Sequence, residues 1–188
     1  MTCIVGLVED GKVWLGGDSA AVAESFTMSR KDPKVFKNGD FIFGFTSSFR
    51  MGDLLRHSFV PPKKPKGGYT RDYMCVDFID EVRACFMAGG IVTLDEGVES
   101  CGDFLVGIED RLYEISDDYQ VGEYINDYIC VGCGRDHAMG ALYAIQELSG
   151  DITRKNLIPT PKDKVRLALE AAAAFSGWVK EPFHIIST

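Results

Sequence analysis

Two tight-turn signals constrain the fold of this chain more than anything else in it. Asp10-Gly11 separates the runs Cys3–Val8 and Lys12–Gly17, and Asn38-Gly39 stands just before Phe41–Phe45. A two-residue loop between antiparallel strands requires positive φ at its centre, and Asp-Gly and Asn-Gly reach that conformation at little steric cost. The N-terminal quarter is therefore expected to fold as hairpins.

Farther along, the apolar period changes. From Ser48 to about Phe59 it is helical, with Ser47 or Ser48 available as N-cap, and Pro61-Pro62 ends the pattern. A second helix is expected from Arg71 to Met87, stopping at Gly89-Gly90. Strands follow over Asp103–Ile108, Leu112–Ile115 and Tyr128–Val131. Two more helices, Asp136–Leu148 ending near Gly150 and Lys162–Phe175, precede a last strand over Phe183–Ile186. Strands, two helices, strands and two helices describe an α+β domain. With 188 residues, 46% of them hydrophobic, and no low-complexity linker, residues 1–188 make one domain with one substantial core.

Charge and cysteine usage narrow the function classes. A net charge of −8 argues against nucleic acid or anionic membrane as the main partner, because phosphate binding relies on clustered Lys and Arg. The one basic run, Lys63-Lys-Pro-Lys66, lies between Pro-Pro and Gly-Gly and reads as a solvated loop. Glu9 and Asp10 interrupt the N-terminal apolar run too early for a secretory signal, and no stretch approaches the roughly 20 apolar residues of a membrane span, so the chain reads as cytoplasmic. Six cysteines at irregular spacings read as free thiols. His57, His137 and His184 are too scattered for a metal site.

The candidate chemistry lies in Thr2, Asp18 and Lys34. A threonine hydroxyl attacks a carbonyl only when a base takes its proton. Loss of Met1 would give Thr2 a free α-amine, whose unperturbed pKa of about 7.7–8.0 suits a general base. Lys34 would then serve as a fixed positive charge that lowers the amine's pKa, with Asp18 holding the lysine charged and in place.

Around these residues stand Thr2-Cys-Ile-Val-Gly-Leu-Val, Trp14-Leu-Gly-Gly-Asp18-Ser, Asp32-Pro-Lys34-Val and Gly44-Phe-Thr-Ser-Ser48. Later come Ile129-Cys-Val-Gly-Cys-Gly134 and Phe183-His-Ile-Ile. In this order and spacing they resemble the proteasome β-subunit family of N-terminal nucleophile (threonine) hydrolases, most closely the peptidase ring of the bacterial two-component ATP-dependent protease. The resemblance implies a four-layer αββα sandwich, with two stacked antiparallel sheets between helical layers. It implies a homo-oligomeric ring that cleaves peptides or unfolded proteins, no cofactor, and an ATPase unfoldase as partner where whole proteins are substrates. Maturation is expected to consist of losing Met1.

By the same resemblance, a backbone N–H at Ser47 or Ser48 holds the oxyanion, where the family usually has glycine. Gly132-Cys133-Gly134 matches the family's Gly-Ser-Gly, placing Cys133 beside the amine, and Ser176 matches a serine nearby. Ala173 stands where proteasome β-subunits usually carry aspartate. Together with Cys133 this departure leaves a non-catalytic ring or scaffold subunit as the alternative. A more distant one is a thiol oxidoreductase built on Cys130-Val-Gly-Cys133, since a helix N-terminus after a Cys-x-x-Cys lowers a thiol's pKa. One such pair is only half of a four-thiolate zinc site.

Overall fold

Alternation along the strands assigns each side chain to one of three apolar layers. In the computed structural model, which describes residues 1–23, 26–149 and 159–188, strand β1 (Cys3–Glu9) turns through Asp10 and Gly11, both at positive φ, into β2 (Lys12–Gly17). Ile4 of β1 and Val13 and Leu15 of β2 face inward, while Cys3, Val5 and Leu7 face the opposite way. Short strands β3 (Ala20–Ala23) and β4 (Phe26–Ser29) pair with each other. The second expected hairpin joins β5 (Val35–Asn38) to β6 (Phe41–Phe45), with Gly39 at positive φ.

Helix α1 (Phe49–His57) is capped by Ser48, whose hydroxyl accepts from Met51 N–H, and it replaces strand at the point where the period changes. The second expected helix is present as α2 (Arg71–Tyr73), a π-helical turn (Met74–Phe78) and α3 (Ile79–Ala88), ending at Gly89. The π turn shifts its buried face, so Phe78 and Ile79 are both inward. The small hairpin of β7 (Thr93–Asp95) and β8 (Val98–Ser100) leads to β9 (Phe104–Ile108), β10 (Arg111–Ile115) and β11 (Val121–Gly122). Then come β12 (Tyr128–Gly132), α4 (Arg135–Ser149), α5 (Pro161–Phe175) and β13 (His184–Ser187). The expected stop of α4 near Gly150 falls outside the described residues.

These elements stack in four layers. One antiparallel sheet has the order β12-β1-β2-β13, the other β11-β10-β9-β6-β5. Ile4, Val13, Leu15, Val35, Ile42, Leu105, Leu112 and Val131 fill the space between the sheets. Outside the first sheet, Cys3, Val5 and Leu7 pack against Val165, Ala168 and Leu169 of α5 and Leu142 of α4. Outside the second, Phe41, Phe43, Phe45 and Phe104 pack against Met51 and Leu55 of α1 and Phe78, Val82 and Phe86 beyond. Strands covered on both faces bury every residue, as β6 and β9 do, and this is why they read as unbroken apolar runs. The layers are α1/α3, sheet, sheet, α4/α5, so the α+β expectation of an αββα sandwich holds.

The strands that sequence reading missed are β3, β4, β7, β8 and β11. Each has at most four residues; β4 and β7 are largely exposed, and β3 and β8 are only partly buried. Segments this short without a fully buried face leave no alternation to read. The Lys63–Lys66 run is a loop, as expected, with Lys64 paired to Glu109 on the surface. Among the described residues no helix is long and apolar enough to cross a membrane.

Candidate active site

Thr2 immediately precedes β1 and Asp18 immediately follows β2. Because these strands pair with Ile4 opposite Gly17, the two residues arrive at the same end of one sheet. Asp18 N–H donates to the Cys3 carbonyl at 3.3 Å, sealing that end. Lys34 immediately precedes β5 in the other sheet, and its carbonyl accepts from Phe45 N–H at 3.1 Å. Its side chain crosses between the sheets. Close approach of α5 supports the arrangement from behind, since a Cβ on Gly16 would lie 2.4 Å from Val165.

The three side chains meet out of solvent, with Thr2 5%, Asp18 0% and Lys34 1% exposed. The Lys34 ammonium has three N–H donors and three acceptors: Thr2 Oγ1 at 2.8 Å, Asp18 Oδ1 at 2.9 Å and the Met1 carbonyl at 3.3 Å. Asp18 is itself anchored, accepting from Cys3 N–H on Oδ1 at 3.0 Å and from Ala20 N–H on Oδ2 at 2.9 Å. Burial lowers the Lys34 pKa below the ordinary lysine value, and the Asp18 charge opposes that shift. A buried ion pair is tolerable only when its remaining hydrogen-bonding capacity is satisfied, as it is here.

Thr2 is also cradled on its main chain. Gly132 at the end of β12 has φ 92°, and a Cβ there would lie 2.3 Å from the Thr2 carbonyl oxygen, so only glycine allows the approach. Beyond it, Thr2 N–H donates to Cys133 Sγ at 3.3 Å, and the Cys133 thiol donates to Thr2 O at 3.4 Å. Gly134 N–H donates to the same carbonyl at 3.4 Å. Sequence reading assigned no role to Gly132 itself, although a glycine closing a strand is the usual mark of close backbone contact.

Ser47 and Ser48 separate clearly. Ser48 N–H donates to Thr46 O at 2.7 Å and its hydroxyl caps α1. Ser47 takes φ 61°, the left-handed conformation that favours glycine, and among the described residues its N–H donates to no protein acceptor. Thr46 beside it is buried, and its hydroxyl donates to Asp103 O at 2.8 Å. Phe49, at the start of α1, was not foreseen: its ring lies 5.9 Å from Lys34 Nζ and 4.0 Å from the Arg30 guanidinium.

Two other expected groups stand apart from the threonine. Ser176 ends α5, and its hydroxyl accepts from Trp178 N–H at 3.4 Å; among the described residues no hydrogen bond joins it to Thr2. Its turn does reach the site indirectly, because Val179 N–H donates to Ser176 O at 3.3 Å and Val179 packs in one cluster with Cys3. Ala173 also packs against that cluster. Cys130 is buried on β12 and burial pushes its thiol well up, whereas an oxidoreductase needs an accessible thiol with a lowered pKa.

No protein-family model and no curated protein sequence matches the chain. Solved structures do match its fold over nearly the whole length. BPH from Thiobacillus denitrificans, determined in complex with epoxomicin, superimposes with a TM-score of 0.75 at 18% identity, covering 99% of this chain and 97% of its own. HslV from Trypanosoma brucei gives 0.67 at 15%, covering 98% of each chain. The Anbu (Gly-1) mutant from Hyphomicrobium sp. strain MC1 gives 0.64 at 12%, covering 100% of this chain and 82% of the other. At these identities the likeness is one of fold, a layered sandwich shared with HslV.

Proposed function

We propose that the chain is a threonine peptidase subunit in which Thr2, freed of Met1, is both nucleophile and base. The observation that carries this reading is the buried Lys34 ammonium donating at once to the Thr2 hydroxyl and to Asp18. A surface threonine beside a structural ion pair would not need that contact.

In this reading the Thr2 amine takes the hydroxyl proton as Oγ1 bonds to the scissile carbonyl carbon. The Lys34 charge steadies the developing negative charge on Oγ1 and favours the neutral, proton-accepting amine. The Ser47 N–H, unengaged at the mouth of α1, holds the oxyanion. The ammonium returns its proton to the leaving amine, and water, deprotonated by the same amine, then releases the acyl group. Cys133 Sγ receives an amine N–H and so turns the lone pair toward Oγ1; Ser176 supports the Thr2 end of β1 through its turn. No step requires a cofactor.

With Met1 attached, its carbonyl accepts from Thr2 Oγ1 at 2.6 Å and from Lys34. Removal of Met1 frees both donors and the amine together. Intact mass of protein made in its natural host should therefore show Thr2 at the terminus. Such protein should be labelled by a peptide epoxyketone, the chemistry of the epoxomicin bound to BPH, which needs hydroxyl and free amine on one residue. Labelling should be confined to Thr2 and should rise with pH as the amine deprotonates, near or below about 7.7–8.0. A matured protein unlabelled across that range would be a silent scaffold subunit instead.

The substrates proposed are peptides or unfolded proteins, with an ATPase unfoldase as partner for the latter, and the working form is a homo-oligomeric ring. An accessible nucleophile gains selectivity only when walled off, and heterologous contacts that close by rotation do this. Native mass spectrometry should give a multimer of about six or more subunits; a strict monomer at micromolar concentration would count against compartmental proteolysis.

A further inference from the structure

The thiol that touches Thr2 is also open to solvent. Of the six cysteines, only Cys75 and Cys133 are exposed. Cys75 lies in the π-helical turn on the far helical layer, whereas Cys133 makes two contacts with the Thr2 main chain. Burial pushes the thiols of Cys3, Cys130, Cys85 and Cys101 upward and makes them poor nucleophiles.

A second feature makes Cys133 more than an accessible thiol beside a site. The turn that carries it is clamped on both sides. A Cβ on Gly132 would meet Thr2 O at 2.3 Å, and one on Gly134 would meet Cys3 at 2.8 Å and Val179 at 2.9 Å. The turn has no room to retreat when Sγ gains a substituent. A disulfide places its second sulfur about 2.05 Å from the first, so any S-thiolated Cys133 carries extra bulk within a few ångströms of the Thr2 nitrogen. It also loses the S–H that donates to Thr2 O. Serine in this position would keep both contacts and have no such chemistry.

Resting on the peptidase reading above, we infer that Cys133 is a reversible modification site for small disulfides and thiosulfonates, and that its S-thiolation switches off the adjacent threonine. The Cys133 thiolate attacks one sulfur of R–S–S–R; the new Sγ–S bond forms as the old S–S bond breaks, and RS⁻ leaves with the electron pair. A second thiol reverses the exchange. Cys133 acts here through the amine and carbonyl of Thr2, as a positioning residue.

The test uses methyl methanethiolsulfonate, which transfers CH₃S to the thiolate and releases methanesulfinate. In Cys75→Ser protein lacking Met1, one methylthio group should map to Cys133, peptidase activity should fall by about tenfold or more, and dithiothreitol should restore it. In Cys75→Ser/Cys133→Ser protein, the ratio of treated to untreated activity should not change, whatever its basal level. Full methylthiolation of Cys133 with activity retained would overturn the inference, as would failure of the folded protein to react there. Activity of the untreated, reduced protein reports separately on the peptidase reading; its absence would remove both.

Discussion

Thr2→Ala should abolish peptide hydrolysis by the matured protein, a loss of about a thousandfold or more in kcat/KM. Alanine is still compatible with removal of Met1, so the variant keeps a free terminal amine and loses only the hydroxyl and its methyl group. That hydroxyl, buried while Met1 is attached, accepts from Lys34 Nζ at 2.8 Å. Cys133 is the nearest rival nucleophile. Hydrolysis of a fluorogenic peptide by Thr2→Ala and Thr2→Ser, each checked by intact mass, decides the matter. Thr2→Ser keeps an attacking oxygen and should retain measurable turnover. Unimpaired hydrolysis by Thr2→Ala would transfer the chemistry to the thiol.

The Lys34–Asp18 pair should show the largest effect on stability. Lys34→Ala leaves the Asp18 carboxylate buried beside three backbone N–H donors, of Cys3, Ala20 and Lys180, with no counter-charge, a change that costs about 3–5 kcal/mol in comparable sites. It also removes the charge that favours the neutral amine, so activity should fall by about a thousandfold or more. Urea denaturation should place the Asp18→Asn/Lys34→Met double variant between the natural protein and Lys34→Ala, because the double change removes both charges and fills the space. Its peptidase activity should remain as low as that of Lys34→Ala. Recovered stability without recovered activity separates the structural share of the pair from its chemical share. Equal stability of Lys34→Ala and the natural protein would mean that the pair is not buried in solution.

Much of the architecture was legible along the chain because its determinants are local. Asp10-Gly11 turns with both residues at positive φ, Gly39 supplies positive φ to the second hairpin, whose loop is Gly39-Asp40 because Asn38 ends β5, and Ser48 caps α1. The long helices and the fully buried strands β6 and β9 announce themselves by period and length. What escaped notice is short and partly exposed, as in β3–β4 and β7–β8, or depends on helix packing, as does the π turn at Met74–Phe78.

Within the site, the resemblance singles out Thr2, Asp18 and Lys34; by residue type alone Asp18 after Gly16-Gly17 reads as a turn residue and Lys34, between Lys31 and Lys37, as a surface charge. Their convergence is not local. It depends on the register that sets Ile4 against Gly17, and on a second sheet that delivers Lys34 from across the core. The proposed choice of Ser47 over Ser48 likewise rests on the backbone: Ser48 N–H is spent on Thr46 O, while Ser47, at φ 61°, has no protein acceptor for its N–H among the described residues. Cys133 has two readings in sequence, half of a Cys-x-x-Cys and, by the resemblance, a neighbour of the Thr2 amine; in the folded chain Cys130 turns into the core and Cys133 turns onto Thr2. Local propensity decides which residues can turn, cap or ionise, and only the stacking of two sheets decides which of them meet.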